Sequence, residues 1–123
     1  AREAAINESL AVVMAAAQFK EATAPAVRRL LHHIIVEEAR HAELAWDTLR
    51  WCIEHGGDPV SIRLHAVFSE GLDPELEAFP LAGIPSHGLP ERGRINEALR
   101  IGWREVVLPS AESLIDLDRP KAA

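Results

Sequence analysis

Val36 to Trp46 reads VEEARHAELAW, and two of its residues stand where a helix should present hydrocarbon. On a wheel turning about 100° per residue with His41 at zero, Val27, Leu31, Ile34, Ile35, Ala42, Ala45, Leu49, Cys52 and Ile53 fall between about 20° and 120°. Glu38 falls near ~60°, in the middle of that apolar sector, and His41 borders it. Glu37 turns instead toward the polar side with Arg40, Glu43 and Asp47. Only one of the two adjacent glutamates therefore points inward. A carboxylate among apolar side chains is costly unless it is protonated, paired with a cation or bound to a metal.

The helix carrying this stretch is expected from about Pro25 to His55. Thr23 is a candidate cap before it, Pro25 suits its first turn, Gly56 offers a left-handed stop and Pro59 prevents continuation. Residues 2–22 are rich in Ala, Leu, Met and Glu and hold no Gly or Pro, which predicts a first helix. Two long helices joined by a short turn form an antiparallel hairpin over residues 2–55. Beyond it the signals predict a short helix over 58–70 and a Pro- and Gly-rich loop over 71–90. A last helix is expected over 91–117, kinked near Pro109. No alternating strand pattern occurs, so the fold class is all-α, one domain over 1–123.

The first helix repeats the oddity. Ile6, Leu10, Val13 and Ala17 line one side, Val12, Ala15 and Phe19 the opposite one, and Glu8 shares the second ridge. Glu8 and Glu38 each stand about 15 residues, or roughly 22 Å of rise, from the turn, so they meet across the hairpin. Residues at i and i+3 share a helix face, which lets Glu38 oxygen and His41 nitrogen reach one ion. One glutamate from one helix and Glu-x-x-His from the next, all directed at a bundle interior, is the donor pattern of dinuclear non-haem metal sites.

NESLAVVMAAAQFKEA followed by RRLLHHIIVEEARHAELAWDTL resembles the ferritin-like superfamily, and the EEARHAELAW wording is similar to bacterial ferritin-like domains of unassigned activity. The resemblance covers about residues 3–55. It implies Glu8 as a bridging or terminal carboxylate, Glu38 as the bridging carboxylate and His41 as the nitrogen ligand of a di-iron carboxylate site, with manganese or zinc as substitutes. A ferroxidase or iron-dependent oxidase activity is what it implies in turn. In that family the pattern occurs twice, in four helices. Here it occurs once, since nothing after His55 repeats it. Half a ligand set implies a homodimer about a two-fold axis, with Val12, Ala15 and Phe19 as the surface to bury, or a preceding half removed before Ala1. The rival reading is a metal-free helical interaction module that dimerises through its first helix.

Other chemistries find no footing. Net charge is −6, with 19 acids against 13 Lys plus Arg and no basic stripe, so no nucleic-acid partner is expected. Charges interrupt every apolar run before the ~18 residues a membrane span needs. The single Cys52 fits a reducing compartment, and a cytoplasmic location is the expectation. No nucleophile elbow or phosphate-cradling glycine loop appears, and the chain has no tyrosine. His32 and His33 read as solvated, His55 as a partner of nearby helix carbonyls, and Trp46, Trp51 and Trp103 as core or interface aromatics.

Overall fold

A computed structural model describes residues 2–71 and 92–115, all of whose regular elements are helical. The order is α1 (Arg2–Glu21), α2 (Pro25–Ser69), α3 (Arg92–Gly102), a π-helical turn (Trp103–Val107) and α4 (Leu108–Leu114). The expected loop over 71–90 lies, but for Gly71, outside the described residues, as do residues 91, 116 and 117 of the expected last helix. No described helix is long and apolar enough to cross a membrane.

α1 and the first part of α2 lie side by side and run in opposite directions. Near the turn Arg28 Nη1 donates to the carbonyls of Phe19 at 2.8 Å and Ala22 at 2.9 Å, satisfying acceptors that the end of α1 leaves without helical partners. Far from the turn Trp46 Nε1 donates to Ser9 Oγ at 2.9 Å. The N-cap of α2 is Ala24, which makes no side-chain cap hydrogen bond, so the capping role expected of Thr23 is not taken up; Pro25 sits in the first turn.

The interruption expected at Gly56 falls one residue later. Gly57 has φ 64° and ψ −150°, a conformation essentially reserved for glycine. Trp46 and Phe68 stand equally far from Gly57 on either side, yet their rings stack with centroids 5.8 Å apart. The two arms of α2 therefore fold back on one another at Gly57. Leu64 and Phe68 of the returning arm join Ala5, Leu10, Ala45, Leu49, Ile95, Leu99, Trp103 and Val107 in one core.

α3 closes the far side of α1, where an Arg94–Glu21 ion pair ties its start to the end of α1. At Gly102 the helices approach so closely that a Cβ would meet Val13 Cγ1 at 2.9 Å. The break attributed to Pro109 takes the form of the π-helical turn immediately before it, in which Leu108 N–H bonds to Trp103 O. Proline supplies no N–H and its ring crowds the carbonyl four residues back, so a wider turn upstream relieves the conflict without ending the helix.

Gly57→Ala should destabilise by roughly 1–3 kcal/mol through backbone strain alone, since nothing lies within 4 Å of the added methyl. Gly102→Ala should cost about 1–3 kcal/mol by overpacking, and Val13→Ala in the same chain should remove that penalty. Urea unfolding of the singles and the double variant reads both effects.

Candidate metal centre

The Trp46–Ser9 hydrogen bond sets which residues of the two helices stand opposite. Ser9 is buried, and the indole is held on its other side by Phe68. With that register fixed, Glu8, the neighbour of Ser9, faces the Glu38–His41 turn of α2. One ligand-capable atom from each of the three lies within 4.8 Å of the others. His41 Nδ1 is 3.6 Å from Glu38 Oε2 and 3.8 Å from Glu8 Oε2, so a single ring nitrogen turns toward both carboxylates. All three residues singled out from spacing come together.

Atoms bonded to one ion at about 2.0–2.2 Å stand roughly 3–3.5 Å from one another, so the separations here need to close by only a few tenths of an ångström for the pairs involving His41. Two carboxylates and an imidazole suit iron, manganese or zinc alike. The donor set therefore fits a metal ion.

Its surroundings differ from a bundle interior. Side-chain exposures of 27% at Glu38, 33% at Glu8 and 59% at His41 place the cluster on an open groove between α1 and α2. Ala4, Glu8, His41, Leu44, Ala45 and Thr48 line a cleft of about 410 Å³ there. The wheel is right that Leu31, Ala42, Ala45 and Leu49 are buried, but the chain's own core covers only that side of the sector. The shoulder beyond His41 stays in solvent, with Leu30 60%, Leu44 68% and Trp51 58% exposed.

Of the surface expected on α1, Val12 and Phe19 are half-buried and Ala15 is enclosed. Ala15 is already 3% exposed within its own chain, and Phe19 lies beneath the Arg28 guanidinium at 4.0 Å. Trp51 is no core residue; it stacks on His55 at 4.2 Å, and His55 Nδ1 donates to Trp51 O. His32 and His33 are exposed. Sequence reasoning missed the Ser9–Trp46 pair. Its one visible signal is a hydroxyl beside Glu8, immediately before the run LAVVMAAA from Leu10 to Ala17, which carries no polar side chain.

Two carboxylates this close do not both ionise easily. The Glu8 carboxyl is held above its ordinary value chiefly by a hydrogen bond with Glu38, then by partial burial and by the Glu38 charge, with His41 pulling the other way.

Comparisons with family models, with characterised proteins and with solved structures return no match.

A raised carboxyl pKa contributes stability that is complete below the ordinary value of 4.5 and is lost as pH rises through the raised one. Metal-free protein should therefore lose melting temperature across that window as pH increases. Glu8→Gln, which keeps a donor toward Glu38 without the titration, should flatten the profile and melt higher than wild type at pH 7. A parallel decline in both proteins would contradict the raised Glu8 carboxyl.

Proposed function

We propose that this chain is a ferritin-like metal-binding protein whose Glu8, Glu38 and His41 supply half of a dinuclear non-haem iron site. The observation that carries this reading is the convergence of those three donors from two helices within 4.8 Å, with Nδ1 of His41 directed at both carboxylates. A pair of irons held in such a site would supply reduction of dioxygen or peroxide coupled to oxidation of iron itself or of an organic substrate.

The chain's own residues set the conditions. His41 can ligate through Nδ1 only when that nitrogen carries no proton, and the raised Glu8 carboxyl must be ionised to act as a ligand. Binding therefore expels a proton and weakens as pH falls. The open groove gives ions and small oxidants direct access, and Leu44 and Ala45 form its apolar wall.

A complete site of this family takes four glutamates and two histidines, twice what one chain brings. Leu30, Leu44 and Trp51 lie within about 80° of His41 on the α2 wheel, all on its solvent side. A second copy docked on this shoulder about a two-fold axis would cover them and bring the two clusters together; a preceding half of the same polypeptide would serve the same purpose. A metal-free interaction module is the second reading, favoured by the same exposed leucines and tryptophan.

Elemental analysis after anaerobic iron(II) loading distinguishes them. The expected result is two ions per dimer by metal titration with light scattering, lost in Glu38→Ala and in His41→Ala. Chelator should lower the melting temperature, since a ligand at 100 times its Kd stabilises the folded state by about 2.7 kcal/mol. Metal content unchanged in both variants would overturn the ligand assignment, a monomer holding a full pair would overturn the two-fold model, and a metal-free dimer would establish the second reading.

A further inference from the structure

Another cleft among the described residues has a charge character opposite to that of the chain as a whole. Phe19, Arg28, Arg29, His32 and His33 line a cavity of about 280 Å³ beside the α1–α2 turn. The protein carries 19 acidic residues against 13 Lys plus Arg, yet no carboxylate lines this cavity. Among the described residues neither Arg28 nor Arg29 forms an ion pair, although Arg2, Arg50, Arg94 and Arg104 all do. In a chain with acids to spare, two arginines and two imidazoles facing one space without an internal counter-ion form a place for an external anion.

We infer that this cleft binds a small oxyanion of the phosphate class. Arg28 is the fixed element. Its Nη1 hydrogens are taken by the Phe19 and Ala22 carbonyls, and its guanidinium carbon sits 4.0 Å over the Phe19 ring. A guanidinium has five N–H groups, so Nε and Nη2 remain as donors on a side chain that is already held in place. Oxyanions accept several such bonds at once, and the arginine fork matches their geometry.

Arg29, His32 and His33 are exposed and complete the rim. Each imidazole has at least one N–H to donate in either protonation state. The rings of Phe19 and His32 stand 6.4 Å apart, and those of His32 and His33 6.5 Å, giving the cleft aromatic walls. The location adds a further attraction, because these residues occupy the first turns of α2, at the positive end of its dipole. The volume lies at the small end of ligand pockets, which suits a phosphate group better than an extended ligand.

The test uses the full chain, metal-free and in the presence of chelator, titrated with inorganic phosphate against chloride at equal ionic strength and followed by amide NMR. Saturable shifts confined to Phe19 and residues 28–33 are expected. Arg29→Gln combined with His33→Gln, both on exposed side chains, should weaken the apparent Kd at least tenfold with an unchanged helical circular dichroism spectrum. Glu38→Ala should leave phosphate binding as it is, so failure of the metal reading and failure of this one are separately visible. Shifts that do not saturate, that chloride reproduces, or that survive the double substitution would overturn the assignment.

Discussion

One hydrogen bond between α1 and α2 determines what every other residue on these helices faces. Trp46 Nε1 reaches Ser9 Oγ in a setting from which water is largely excluded, so the indole proton and the hydroxyl each lose a partner if the helices slide. A slip of one turn would carry Glu8 about 5.4 Å along the groove, farther than the 3.8 Å that now separates it from His41. The acid cluster is thus positioned from behind, by a polar contact on the buried side of the same two turns. Phe68 holds the other face of the indole, so the returning arm of α2 takes part in placing residues it does not touch.

The division of labour between the two sides of α2 follows from the fold-back at Gly57. The returning arm and the α3–α4 segment together cover one side of the α1–α2 pair and complete the core there. Nothing among the described residues covers the other side, where the carboxylates, the imidazole and the large exposed apolar residues gather. A single chain therefore satisfies its hydrophobic requirement and its polar cluster on opposite surfaces. That arrangement keeps the acids out of the low-dielectric interior, where two of them and one imidazole would be far more expensive to hold.

The site was legible in the sequence to the extent that it depends on local geometry. Glu38 and His41 share a face because of helix periodicity alone, and Glu8 meets them because both helices count from the same short turn. What could not be read was the side from which the core arrives. Reading Trp51 as a core or interface aromatic did not separate it from Leu49, yet Leu49 is 2% exposed and Trp51 58%. That difference is decided by backbone dihedrals at Gly57 and by the close approach at Gly102, neither of which leaves a periodic trace. For the same reason Ala15 looked available for a partner when its own chain already encloses it. The described part of the last helix runs from Arg92 to Leu114, with its interruption where Pro109 led one to expect it. The form of its interruption was not legible, because a proline predicts conflict with the preceding turn and not the way that turn resolves it.

The π-helical turn also has a geometric effect on α3 and α4. Ile95, Leu99, Trp103, Val107, Ala111 and Ile115 are all buried, a seam that repeats every fourth residue. In an uninterrupted α-helix each such step gains about 40°, so the last member would stand roughly 200° from the first, on the wrong side of the rod. The wide turn absorbs one residue and sets the following segment back by about 100°, in phase with the stripe that precedes it. It acts as a phase corrector, allowing a tetrad rhythm to stay on the core side of α3 and α4. A sequence with this rhythm and an ordinary helix would have to choose between its two halves; here both remain in contact with the same core.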